Sequence, residues 1–273
     1  MPTKRMSIWA TCLLLLALLT ACQPITLPPT PVATTAEING IQLYYEIHGS
    51  GDPLILIHGG LGNAGYWAQQ IPVFAQDYQV IALDSRGHGR STFDEQPITY
   101  ALMTADVLAL MDLLKIEKAD IVGWSDGGII GLELAIKHPE RVNRIVAYGA
   151  NYNPSGVRAD IGESERFNAY IEQCAADYQT LSPAPDQWDA FLNNIGNMWA
   201  SEPNFTPEQL GAITTPILIL DGKEEEAIDT NHTKEMADLI PGADLHLMPG
   251  VGHFAMLDKA EEFNHIVLDF LGR

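Results

Sequence analysis

Cysteine is scarce in this 273-residue chain, which carries only Cys12, Cys22 and Cys174. Two of the three fall within the first 22 residues, so from Gln23 onward Cys174 is a lone thiol and no internal disulfide can close. A domain built from that stretch must stand on its apolar core. Basic residues are scarce as well: 15 Lys and Arg face 35 Asp and Glu, a formal charge of −20. Such a surface repels nucleic acid and anionic lipid headgroups, which excludes partners recruited by positive charge. The histidines, cysteines and carboxylates show no metal-ligand spacing, so neither a zinc site nor any other cofactor is implied. The longest apolar run, Ile8 to Leu19, is broken by Thr11 and is short for a membrane span.

That run still carries information. Lys4 and Arg5 precede it, as in an export signal, and Leu19-Thr20-Ala21-Cys22 follows it. The tetrapeptide resembles the lipobox of bacterial lipoproteins. The resemblance implies cleavage before Cys22, acylation of its sulfur, and a protein of the cell envelope held on a membrane by lipid and exposed outside the cytoplasm. Residues 1–21 then form the signal peptide; an accidental cysteine beside an ordinary cleavage site is the alternative. Residues 22–36 hold Pro24, Pro28, Pro29 and Pro31 among threonines, the composition of a semi-extended tether. Residues 37–273 suffice for a single α/β domain.

Within that domain, apolar runs bounded by turn residues alternate with helical patterns, the signature of βαβ units and a mostly parallel sheet flanked by helices. Ile41 to Ile47 alternates like an antiparallel strand. Leu54–Ile57, Val80–Leu83, Ile121–Val122, Arg144–Tyr148, Ile217–Leu220 and Asp244–Leu247 read as further strands. Ala101–Leu114 and Glu262–Leu271 have helical spacing, and Thr206-Pro207 is a helix start with a capping hydroxyl. Residues 151–212 break the alternation. They contain no strand-like run but carry Tyr170, Tyr178, Trp188, Phe191, Trp199 and Phe205 in helical patterns, as expected of an inserted lid roofing a pocket.

The chemistry concentrates at Gly123-Trp124-Ser125-Asp126-Gly127, which follows a strand-like run and precedes a helix-like one. That order presents a serine hydroxyl on a tight exposed turn where a base can reach it. Ser125 needs an imidazole to take its proton, and His253 is the candidate: it lies in the glycine-rich stretch Pro249 to Phe254, after the last strand and before the last helix. Such a loop projects from the same end of a parallel sheet as the nucleophile turn.

With His58-Gly59-Gly60-Leu61-Gly62 after one strand and Asp84 to Ser91 after the next, these motifs resemble the α/β-hydrolase fold family over about Ile38 to Arg273. The resemblance implies an oxyanion hole from the backbone N–H of Gly60, with Leu61 as second choice, and that of Asp126. It also implies a triad acid three residues after Gly222, which here is Glu225; Asp221 is the alternative, and Glu224 and Glu226 are expected in solvent. Leu61, Trp124 and Asp126 are candidate substrate contacts, although the Trp124 ring has the alternative of packing under the turn. Gly-Trp-Ser-Asp-Gly-Gly further resembles the biphenyl-hydrolase-like enzymes, where the acidic residue beside the nucleophile recognises the amino group of amino-acid esters. The expected activity is hydrolysis of a small-molecule carboxylic ester or lactone through an acyl-serine. The rival is a ligand-binding protein on the same fold with slow turnover or none.

Overall fold

The structure, a computed structural model, describes residues 30–94 and 96–272. The expected signal peptide, Cys22 and the first part of the tether lie outside the described residues. An eight-stranded sheet runs through the domain in the order β1-β2-β4-β3-β5-β6-β7-β8. The strands are β1 (Val32–Ile38), β2 (Ile41–Gly49), β3 (Asp52–Ile57), β4 (Tyr78–Leu83), β5 (Ala119–Trp124), β6 (Val142–Tyr148), β7 (Ile217–Gly222) and β8 (Asp244–Met248). β2 is antiparallel to β1 and to β4, and every other pairing is parallel. All strands expected from the sequence are present.

β1 corrects the reading of residues 22–36 as tether throughout, because ladder pairing with β2 begins at Val32, opposite Ile47. The two strands join through Asn39-Gly40, whose φ values of 46° and 81° suit a two-residue hairpin turn. The first four residues of β1 are exposed, so the strand shows no apolar alternation. Its threonines pair backbone at the sheet edge without reaching the core.

The helices are α1 (Ile71–Phe74), α2 (Tyr100–Leu113), α3 (Asp126–Lys137), α4 (Glu165–Leu181), α5 (Trp188–Ser201), α6 (Pro207–Gly211), α7 (Thr230–Leu239), α8 (Ala255–Asp258) and α9 (Ala260–Leu271). Thr99 caps α2 by accepting from the Leu102 amide, and Thr206 forms a capping box with Gln209 at α6. α4, α5 and α6 lie between β6 and β7, the stretch expected to form the lid. β5 and β7 are buried along their whole length, as strands covered on both faces require. Arg86, after β4, is fully buried and makes two bonds to Asp106 of α2, at 2.9 and 2.8 Å, which tie the loop carrying His88 to the helix layer.

Candidate active site

β5 ends at Trp124 and α3 begins at Asp126, so Ser125 alone makes the reversal, at φ 53° and ψ −115°. A non-glycine residue in such a conformation stores about 1–3 kcal/mol, which the surrounding packing must hold. The Ser125 amide donates to the Tyr148 carbonyl at 2.7 Å, fixing the turn to the end of β6. Both flanking glycines are required sterically: a Cβ at Gly123 would strike the backbone of Gly127, and one at Gly127 would strike the Ile57 carbonyl. The Asp126 N–H, in the first helical turn, has no acceptor within its own helix.

His253 is held in the loop between β8 and α8 by four side chains, from β5, β6 and the loop after β7. Its amide donates to Glu226 Oε2 at 2.9 Å and its carbonyl accepts from Trp124 Nε1 at 2.9 Å. Tyr148 Oη donates to the Gly252 carbonyl at 2.6 Å and accepts from the Ala255 amide at 2.7 Å. The ring Nδ1 lies 2.8 Å from Glu225 Oε1. With Nδ1 so engaged, Nε2 is the nitrogen free to exchange a proton. Burial pushes the imidazole below its ordinary pKa, and the nearby carboxyl groups of Asp221, Glu226 and Asp126 oppose that shift.

Four acidic side chains surround this loop and do different things. Glu225 is buried; its Oε1 also accepts the amides of Ala227 and Ile228, and burial raises its pKa to about 7. Asp221 is fully buried and accepts from the Gly222 amide and the Thr233 hydroxyl, while the carboxylate bonded to the histidine ring is that of Glu225. Glu224 is exposed, yet it accepts the amides of Gly250 and Val251 at 2.8 and 3.1 Å. Glu226, expected in solvent, is half-buried because its carboxylate pairs with the His253 amide. Sequence reasoning had no signal for that bond, nor for the roles of Tyr148 and the Trp124 indole.

Ser125, Asp126 and His253 line one cavity of about 540 Å³, together with Phe167 and Ile171 from α4 and Trp199 from α5. Gly60 abuts it: a Cβ there would lie 2.5 Å from Asp126 Oδ2 and would also strike the Trp199 ring. The Gly60 carbonyl is turned away and accepts from Tyr170 Oη at 2.6 Å. Two expected substrate contacts are corrected. Trp124 is fully buried beneath the turn, packed against Tyr66, Tyr170 and Phe254, and Leu61 is buried at φ 66°; neither lines the cavity. Asp126 does line it. Its carboxylate accepts from Tyr100 Oη at 2.8 Å and from Trp199 Nε1 at 2.9 and 3.1 Å, and burial raises its pKa to about 6.

His58 and His88 occupy structural positions. His58 Nε2 accepts the Ser85 amide at 2.9 Å, and burial depresses His88 to about 3. Among the described residues, no group of three or more His, Cys, Asp or Glu is arranged to hold a metal ion.

Residues 52–182 match the model of the alpha/beta hydrolase fold. The chain is 31% identical over 261 residues to 2-hydroxymuconate semialdehyde hydrolase of Pseudomonas sp. (strain CF600), covering 85% of this chain and 91% of that one. It is 29% identical over 248 residues to serine hydrolase BPHL of Homo sapiens, covering 86% and 84%. Among solved structures, Est816, described as an N-acyl homoserine lactone degrading enzyme, superposes with a TM-score of 0.71 at 28% identity, covering 86% of this chain and 99% of that one. With the relatives extending over nearly the whole domain, the chain belongs to the α/β-hydrolase family and is an enzyme of the serine-hydrolase type.

Proposed function

We propose that the protein hydrolyses a carboxylic ester or lactone through an acyl-serine, with Ser125, His253 and Glu225 as the triad. The observation that carries the reading is the strained Ser125 turn opening on the same cavity as a histidine whose Nδ1 is bonded to a buried carboxylate. Ser125 Oγ attacks the carbonyl carbon and passes its proton to His253 Nε2. The oxyanion is met by the Gly60 and Asp126 amides, where one such donor contributes about 3 kcal/mol. His253 protonates the departing alcohol, the C–O bond breaks, and a water molecule repeats the sequence to release the acid.

Asp126 supports a preference for amino-acid esters. Its two partners are neutral donors, and the cavity lining includes Asp126 and Glu202 but no Lys or Arg. A substrate ammonium finds a counter-charge there, while an anionic substrate finds none. In the same reading Cys22 carries lipid, which tethers the domain to a membrane outside the cytoplasm; Cys22→Ala would move the protein from the detergent phase to the aqueous phase.

Mixing the enzyme with an activated ester tests the mechanism. Alcohol release should show a burst stoichiometric with enzyme, followed by slower turnover, and the acyl group should be recovered on Ser125. Turnover with no acyl-enzyme under conditions that trap one would refute the covalent route.

A further inference from the structure

Both long lid helices close on one glycine. A Cβ at Gly60 would strike the Trp199 ring of α5, and the Gly60 carbonyl accepts from Tyr170 Oη of α4 at 2.6 Å. Gly60 is the second residue of a β-turn that the Gly62 amide closes on the Gly59 carbonyl at 3.1 Å. The turn lies against the nucleophile, since a Cβ at Gly59 would sit 3.2 Å from Ser125 Cβ. Its third residue is Leu61 at φ 66°, a position that ordinarily takes glycine. Leu61 is buried, and it relaxes from that strained angle only if the peptide joining it to Gly60 rotates. That peptide is the one whose oxygen Tyr170 holds. The flanking Gly59, Gly60 and Gly62 restrain it little, because glycine accepts a wide range of backbone angles. The tyrosine is itself fixed: it is buried, with its ring packed on Tyr66, Trp124 and Phe254 at centroid distances of 5.5, 5.4 and 5.1 Å.

We propose that Tyr170 is a positioning residue for the oxyanion hole, its hydroxyl holding the Gly60–Leu61 peptide so that the Gly60 amide stays aimed at the carbonyl oxygen under attack by Ser125. The proposal rests on the acyl-serine reading above, and it gives the lid a part in the chemistry as well as in shaping the cavity. Tyr170 does not line that cavity, so its effect on rate must pass through the turn. Deleting the hydroxyl strands a buried carbonyl without its donor and frees a strained residue, and rotation of the same peptide relieves both. An amide on a turn that moves is no longer preorganised, so the loss falls on the transition state and not on substrate binding. Removing one oxyanion donor outright lowers kcat about 10²–10³-fold; a donor that is present but loosely held forfeits part of that, on the order of tenfold.

Tyr170→Phe removes the hydroxyl and keeps the ring. Ester hydrolysis should lose about tenfold in kcat with KM little changed. Two probes separate positioning from packing: hexyl trifluoromethyl ketone, which adds Ser125 and sets an oxyanion in the hole, and the carbinol made from it by reduction, which fills the same cavity without one. The substitution should weaken the ketone about tenfold and leave the carbinol unchanged. Equal weakening of both would show that Tyr170 only packs the lid, and no weakening of either would show that the turn holds without it; each overturns the proposal. Hydrogen exchange of the wild-type chain gives a readout independent of whether Tyr170→Phe folds. Relative to the carbinol, the ketone should slow exchange in residues 58–62 and in α4 together, because a turn fixed by the adduct holds its lid partner in return. Protection confined to residues 58–62 overturns the coupling. Should the wild type bind ketone and carbinol alike, with no adduct on Ser125, it is the acyl-serine reading that fails.

Discussion

Replacing Asp126 by Asn isolates the charge beside the nucleophile. The substitution preserves side-chain shape and leaves the Asp126 amide in place, while removing a carboxylate that no Lys or Arg of the cavity balances. A substrate ammonium at this carboxylate gains a charge-assisted hydrogen bond of about 1.5–3 kcal/mol. At about 1.4 kcal/mol per decade that is roughly 10- to 150-fold in kcat/KM. The quantity to measure is the ratio of kcat/KM for an α-amino acyl ester to that for its desamino analogue with the same alcohol, since triad titration cancels in the ratio. The pH dependence follows from the raised pKa. Asp126 is charged above about 6 and neutral well below it, so the preference fades as pH falls through that value. The α-amino group loses its proton near about 8. The ratio should therefore peak between these limits and collapse toward one in Asp126→Asn at every pH. A ratio near one in the wild type, or one that survives the substitution, refutes the reasoning.

Glu225→Gln should lower kcat on the order of 10³–10⁴-fold with the fold intact by circular dichroism, because an amide no longer stabilises the imidazolium. The acid limb of wild-type kcat/KM belongs to the coupled His253–Glu225 pair: burial lowers the histidine, so activity is full above the limb and lost as pH falls through it, with the midpoint at or below about 7. A midpoint above 8 in a pH–rate profile would contradict this. Asp106→Ala removes both carboxylate hydrogen bonds of the buried Arg86 guanidinium, leaving it only the part-exposed Asp94 carboxylate at 3.6 Å, and should cost about 3–5 kcal/mol in urea unfolding. A loss under about 1 kcal/mol would show that the pair matters little.

Much of the sheet was legible because strands buried on both faces leave continuous apolar runs, as in Leu54–Ile57 and Ile217–Leu220. β1 was not, since its exposed threonines resemble linker composition; Asn39-Gly40 after Val32 to Ile38 was the available hairpin signal. Ser125 could be singled out by the glycines of its turn and His253 by the glycine-rich loop that carries it, whereas Glu225 was preferred over Asp221 only through the resemblance to the α/β-hydrolase fold family. Side-chain direction could not be read. Trp124 points under the turn because its indole finds the His253 carbonyl, 129 residues away in sequence. Asp126 meets Tyr100 and Trp199 across 26 and 73 residues, and no local pattern encodes such meetings. The division of work among Asp221, Glu224, Glu225 and Glu226 is equally tertiary, because four neighbouring acids acquire their roles from the amides and hydroxyl that fold against them.

The central claim is that Ser125 is the nucleophile. Treating the folded protein with a fluorophosphonate and mapping the adduct by mass spectrometry tests it: one phosphonyl group should appear on the peptide containing Ser125, ester hydrolysis should fall in proportion, and Ser125→Ala should neither label nor turn over. An intact Ser125→Ala variant that still hydrolyses the ester, or wild-type protein that hydrolyses it while Ser125 stays unmodified and activity is unaffected, would contradict the account.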